Sequence, residues 1–273
     1  GVAGVATYVL GNENVEMIAI GVCNSAGYTT TDLIARGMEY AKSRNVNVIN
    51  ISLGGDGGDP TLDNECTACA ETGITVVTAA GNENTDTACT PSDCEDAISV
   101  IALTKKDQRA SYSNYGEPKD ISAPGGENIE SRYDMIISTY PPSVYWPNGS
   151  YMYMSGTSMA APVVTACAAM MYSIDPDITV SEVKSGLYNS ANDLYDAGWD
   201  EVSGYGKVMA SGAVQSAIDG NYPEIPPRTI IPVAMDTLSG YLSGYTYTYD
   251  GHAKTPSITL FNKWGNRLLN GRD

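Results

Sequence analysis

Apolar residues along this chain of 273 residues alternate between two spacings. Short continuous runs at 17–22 (Met-Ile-Ala-Ile-Gly-Val), 46–52, 74–78 and 97–103 predict buried strands. Between them the spacing turns helical. Residues 29–44 are entered through threonines and carry Leu33, Ile34, Met38 and Ala41 on one face, and residues 61–72 are stopped by Gly73. Strands alternating with helices predict an α/β fold, a largely parallel sheet with helices on both faces. After residue 104 the pattern loosens into loops and short strands up to Gly156. A long helix is then predicted from about Ser158 to Tyr172. Thr179 and Glu182 form a capping box, with Ile178 and Val183 as its hydrophobic staple, opening a helix to about Asn189; a last helix covers about 210–218.

Four prolines (Pro223, Pro226, Pro227, Pro232) crowd residues 221–232, a density that predicts an extended, semi-rigid linker. The expected organisation is therefore a domain over 1–220, a linker over 221–240 and the start of a β module over 241–273. In that module Tyr245–Tyr249 is β-prone, Asp250-Gly251 is a turn signal and Ser257–Phe261 is a second strand. No apolar run approaches the roughly 20 residues that span a bilayer. The chain starts Gly1-Val2-Ala3-Gly4, with no basic stretch leading into an apolar one, which predicts an internal fragment of a longer protein.

Composition narrows the chemistry. Hydrophobic residues are 42% and charged residues 17%, a globular balance. The net charge of −17 argues against nucleic acid as a partner, because phosphates would be repelled. The one histidine, His252, follows the proline-rich stretch and is expected at the surface. A mechanism needing a histidine base must use it or take one from outside this sequence. The six cysteines (23, 66, 69, 89, 94, 167) do not have zinc-site spacing, and no metal site is expected among them. Cys167, in an alanine-rich run, is expected as a buried free thiol.

Three stretches carry candidate chemistry. In Ser155-Gly156-Thr157-Ser158-Met159-Ala160-Ala161-Pro162, Ser158 stands between a glycine turn and a helix of small residues, at the positive end of the helix dipole. Pro162 is expected in the first turn, which has no intrahelical N–H bonds to lose. The alternative for Ser158 is a plain N-cap. Asn82, in Thr78-Ala79-Ala80-Gly81-Asn82-Glu83, follows a predicted strand; its amide can donate to an oxyanion, or it is a turn asparagine. In Asn50-Ile51-Ser52-Leu53-Gly54-Gly55, backbone groups at Ser52–Gly54 can pair with an extended peptide, or the glycines only end a strand.

Together and in this order, these stretches resemble the subtilisin-like serine peptidase family, over about residues 1–218. Gly156–Pro162 is similar to its nucleophile motif, Val77–Asn82 to its oxyanion-hole strand end, and Val48–Gly55 to its substrate-binding strand. Ser111–Gly116, Ile121–Gly125 and Gly204–Val208 are similar to later family segments, and Gly1–Gly4 to the tail of its histidine motif.

The resemblance implies a subtilisin-like three-layer α/β/α fold and a serine endopeptidase acting on proteins or peptides. Ser158 would attack, and Asn82 with the Ser158 N–H would stabilise the oxyanion. Ser52, Leu53 and Gly54 would hold the substrate backbone, and Ala79, Ala80 and Gly81 would line the pocket, with Glu83 near its rim. The family's aspartate and histidine would lie upstream. No cofactor is required by this chemistry. Structural calcium is common in the family, without an assignable ligand set here. The resemblance further implies a secreted or surface-attached, bacterial protein, Cys23 paired to an upstream cysteine, and Cys89 paired with Cys94, Cys66 or Cys69. Residues 241–273 resemble immunoglobulin-like repeats of bacterial surface proteins. The rival reading is a catalytically inactive surface or adhesion protein on the same fold.

Overall fold

Three of the four predicted core runs become neighbouring parallel strands. The structure, a computed structural model, describes residues 4–6, 15–140 and 151–228, with the backbone of 260–261 and 267–268. Helix α1 (Thr31–Ser43) is followed by β1 (Val48–Ile51), β2 (Gly55–Asp56), α2 (Pro60–Glu71), β3 (Thr75–Ala79), β4 (Cys89–Thr90), β5 (Ala97–Leu103) and β6 (Ile121–Pro124). A short 3₁₀ turn at Arg132–Asp134 precedes β7 (Ile136–Thr139) and β8 (Tyr151–Met154). Helices α3 (Thr157–Ile174), α4 (Val180–Asn189) and α5 (Ala210–Asp219) follow. The main sheet has the order β1-β3-β5-β6, parallel throughout, with Val77 opposite Asn50 on one side and Ile98 on the other.

Alternation along β3 assigns the layers. Val76 joins the cluster of Ile34 and Met38 from α1 and Leu62, Cys66 and Cys69 from α2. Val77 and Ala79 join Ala160, Val164 and Cys167 of α3, with Leu187 of α4 and Ala213 of α5. A sheet with helices on both faces is a three-layer α/β/α sandwich. Among the described residues α3 alone is long and apolar enough to cross a membrane, and 67% of that stretch is buried inside the protein. Its composition is that of a helix covered on nearly every side.

The caps predicted from sequence are made. Thr179 Oγ1 accepts from the Glu182 N–H (3.3 Å), Glu182 Oε2 accepts from the Thr179 N–H (2.9 Å), and Ile178 and Val183 are buried behind the cap. Thr179→Ala should therefore cost about 1 kcal/mol of unfolding free energy, read as a lowered urea midpoint at unchanged slope.

Three expectations change. Residues 17–22 form no strand: they are half-exposed to exposed, and together with β1 they line a cavity of about 960 Å³. An apolar run indicates burial, but a strand also needs a neighbouring strand for its N–H and C=O groups; among the described residues none pairs with this run, whose Val22 O accepts only from the Thr29 hydroxyl (2.6 Å). Leu33 is 43% exposed, because α1 turns Ile34, Ala35, Met38 and Ala41 inward instead. The proline-rich stretch is docked as far as Arg228 rather than free. The Ser185 hydroxyl donates to Pro223 O (2.5 Å), Tyr205 Oη donates to Pro226 O (2.8 Å), and Arg228 pairs with the buried Asp120 (2.6 Å) beneath Trp199.

The chain divides into two units, Gly1–Thr229 and Ile230–Asp273. In the second, β9 (Leu260–Phe261) and β10 (Arg267–Leu268) pair antiparallel. The predicted strand at 245–249, His252 and most of the expected immunoglobulin-like module lie outside the described residues.

Candidate active site

Parallel strands place their C-terminal ends along one edge of the sheet, where ligand crevices form. The ends of β1 and β3 and the start of α3 meet there. Helix α3 begins one residue before Ser158, with Gly156 as N-cap at φ +152° and no side chain to satisfy the first N–H groups. Asn82 takes over that role: its Oδ1 accepts from the Thr157 N–H (2.9 Å) and from Thr157 Oγ1 (3.0 Å). An N–H can only donate, so this contact fixes the amide orientation and turns Nδ2 away from the helix. Among the described residues nothing accepts from Asn82 Nδ2, and the Ser158 N–H is likewise uncommitted. Two free donors at the positive end of an 18-residue helix suit an oxygen that gains negative charge.

Ser158 is half-buried and held by a reciprocal pair of contacts. Its Oγ donates to Ser52 O (3.2 Å), and Ser52 Oγ donates to Ser158 O (3.1 Å). The second bond explains Pro162. With α3 starting at Thr157, Pro162 is the sixth helical residue and not in the first turn, so its missing N–H leaves the Ser158 carbonyl without an intrahelical partner. Ser52 supplies that partner. Asn50 completes the link, donating from Nδ2 to Ser52 Oγ (2.9 Å) and accepting from Thr165 Oγ1 (2.9 Å).

The loop carrying Asn82 is held from below by Asn114, which is 2% exposed. Asn114 Oδ1 accepts from the Glu83 N–H (2.9 Å) and the Thr85 N–H (3.2 Å). Its Nδ2 donates to Glu83 Oε2 (2.9 Å), which also accepts from the Asn82 N–H (2.7 Å). Gly81 has φ +104°, and a Cβ there would collide with Asn114 Nδ2, so only glycine lets the chain pass. Gly125 is equally constrained: a Cβ would lie 2.9 Å from Gly156 O and 2.5 Å from Ala102 Cβ.

A cavity of about 100 Å³ opens beside Ser158, bounded by Leu53–Asp56, Ala79, Gly81–Glu83, Cys89 and Thr157. Of the predicted substrate-binding residues, Leu53, Gly54, Ala79 and Gly81 line it. Ser52 sits behind it against Ser158, and Ala80 is fully buried with its N–H given to Val100 O (3.1 Å). Asn50, Asn114, Thr157 and Thr165 were not singled out as site residues by sequence. Asn50, Asn114 and Thr157 lie inside the stretches Asn50–Gly55, Ser111–Gly116 and Ser155–Pro162, whereas Thr165 lies beyond the last of them with no signal of its own.

All six cysteines are free thiols in the structure. The neighbouring Cys66 thiol and burial push the Cys94 thiol up. Cys89 stands apart at the cavity wall, its thiol raised chiefly by burial. The expected pairing of Cys89 is thus not made, while Cys167 is 1% exposed and pushed up to about 12 by burial. Among the described residues no three His, Cys, Asp or Glu side chains converge as metal ligands.

Residues 2–206 match the subtilase family. Subtilisin DY of Bacillus licheniformis is 35% identical over 201 residues, covering 72% of this chain and 66% of that protein. The cell wall-associated protease of Bacillus subtilis (strain 168) is 33% identical over 229 residues, covering 76% of this chain and 24% of that protein. Among solved structures, a lanthipeptide protease superposes with a TM-score of 0.70 at 25% identity, covering 78% of this chain and 74% of that one. A protease from Pseudoalteromonas arctica PAMC 21717 does so with a TM-score of 0.66 at 34% identity, covering 72% and 61%. The chain thus spans 66% and 24% of the two curated relatives named. With a parallel sheet whose strand ends meet a glycine-capped helix at Ser158, and with that match running almost from the first residue to Gly206, the chain belongs to the subtilase family.

Proposed function

We propose that the protein is a serine-type endopeptidase, with Ser158 as nucleophile and Asn82 Nδ2 and the Ser158 N–H as the oxyanion donors. The observation that carries this reading is the fixed Asn82 amide. Its Oδ1 is tied to the N-terminus of α3, so its Nδ2 and the Ser158 N–H are both left free beside the Ser158 hydroxyl. Ser158 Oγ attacks the peptide carbonyl carbon. The carbonyl oxygen takes up negative charge between the two donors, which are in place before the reaction starts. The strand end at Ser52–Gly54 pairs with the substrate backbone.

A serine hydroxyl needs a base to give up its proton. The described residues include no histidine, and His252 lies in the second unit. By the resemblance of Gly1–Gly4 to the tail of the family's histidine motif, the base and the carboxylate that orients it would be the family's histidine and aspartate, expected upstream. Strands preceding α1 would also pair with the outer edge of β1, which is unpaired among the described residues. The kinship with a cell wall-associated protease supports an extracellular or surface-attached location.

The test uses the whole protein. It should hydrolyse peptides and lose that activity to a serine-directed fluorophosphonate, while the 273-residue chain alone should be silent for want of a base. A whole protein that cleaves no peptide would overturn the reading in favour of an inactive surface protein.

A further inference from the structure

The cavity beside Ser158 has a charge pattern that the reaction itself does not use. Antiparallel pairing of β2 with β4 sets Asp56 opposite Cys89. The wall there is tightly packed: a Cβ on Gly54 would lie 2.8 Å from Thr90 O and 3.4 Å from Cys89 Sγ. Cys89 is 6% exposed and its thiol is raised by burial, so it presents a neutral, weakly apolar surface. Behind it, the Cys89 N–H donates to Asp93 Oδ2 (2.8 Å), and Asp93 is paired with the fully buried Lys119. Lys119 and Asp93 neutralise each other away from the cavity.

That leaves two carboxylates at the cavity itself, Asp56 and Glu83, both exposed. Among the described residues Asp56 has neither a hydrogen-bond nor an ion-pair partner. Glu83 uses only Oε2, and only on the neutral donors Asn82 N–H and Asn114 Nδ2, so its charge is uncompensated and Oε1 is free. No lysine or arginine lines the cavity. A volume of about 100 Å³ suits an unbranched run of methylenes.

We propose that this pocket selects a lysine or arginine side chain on the residue whose carbonyl Ser158 attacks. The aliphatic stem lies along Leu53, Ala79 and Cys89, and the cationic head reaches Asp56 and Glu83. This assignment rests on the peptidase reading above, since it places the scissile carbonyl at Asn82 and Ser158. It makes Asp56 the specificity-determining residue that is free to pair, with Glu83 partly committed to shaping the Asn82 loop. An acidic side chain is repelled from the same place.

The experiment compares, in the whole protein, peptides that differ only in the residue before the cleaved bond: lysine, methionine or glutamate. The expected kcat/KM is highest for lysine, about tenfold above methionine, and lowest for glutamate; added salt narrows the gap because both carboxylates are exposed. Asp56→Asn should lower the lysine-to-methionine ratio by about fivefold, and Asp56→Lys should bring lysine and glutamate close to parity, since Glu83 keeps its charge. Asp56 is an exposed residue on a two-residue strand, so these variants are expected to fold. Cleavage after methionine as fast as after lysine, with ratios unmoved by Asp56→Asn, would overturn the pocket assignment and leave the peptidase standing. No cleavage of any of the three peptides would overturn both.

Discussion

Ser158→Ala in the whole protein should reduce peptide hydrolysis by a factor on the order of 10⁶ in kcat, the size of loss that subtilisin itself suffers without its nucleophile. The substitution removes one oxygen from a half-buried position at the second residue of α3. It deletes the bond to Ser52 O but leaves the Ser158 carbonyl, which Ser52 Oγ still caps at 3.1 Å. The helix start, the Asn82 contact and the cavity walls therefore persist, and substrate binding should change little. A collapse in kcat with a near-constant KM and an unchanged melting temperature separates loss of the nucleophile from loss of the fold.

Asn82→Ala should cost on the order of 10²–10³ in kcat, about 2.7–4 kcal/mol, a magnitude taken from the equivalent change in subtilisin rather than from this geometry. KM should move far less, because the contact strengthens only as charge develops on the carbonyl oxygen. The structure adds a complication and a way around it. Asn82 also caps α3 through Thr157, so the alanine variant loses a cap as well as a donor. Asn82→Asp keeps an acceptor for the Thr157 N–H, at a helix N-terminus where negative charge is favoured. It nevertheless replaces the free Nδ2 with a carboxylate oxygen that repels the oxyanion. Asn82→Asp should thus melt no lower than the unsubstituted protein and still lose at least as much kcat as Asn82→Ala. If Asn82 only held the loop, the aspartate variant would keep both stability and rate.

The layers were readable because the core strands β1, β3 and β5 are short, mostly apolar runs and α1, α2 and α4 carry their own N-caps at Thr30, Asp59 and Thr179. Ala97–Leu103 matches its predicted bounds, and the Thr179–Glu182 box marks α4 to the residue. Ser158 and Asn82 stood out as candidates for the same reason: each sits in a short motif whose neighbours are needed locally, Gly156 for the turn at φ +152° and Gly81 for the turn at φ +104°. What escaped is what the fold brings together from a distance. Ser52 and Ser158 are 106 residues apart, and Asn114 reaches back 31 residues to Glu83. No local spacing encodes such pairs. Residues 17–22 show the converse limit, since an apolar run predicts burial but names no partner strand, and without one among the described residues this segment stays half-exposed to exposed. Pro162 reads as a first-turn residue only if the helix starts later than Thr157, and the start is set by Asn82 from another loop. The docking of 221–228 was hidden in the same way. Proline density predicts stiffness, whereas the anchors are Ser185 in α4 and Tyr205 and the buried Asp120 in loops earlier in the chain.

An electrophile that mimics the scissile carbonyl should react with one atom of the whole protein, Ser158 Oγ. Treating the protein with a fluorophosphonate and mapping the adduct by peptide mass spectrometry predicts one modified residue, Ser158, with labelling slowed in the Asn82→Ala variant because the phosphoryl oxygen loses a donor. An adduct on any other residue, or none at a concentration that abolishes peptide cleavage, would contradict it.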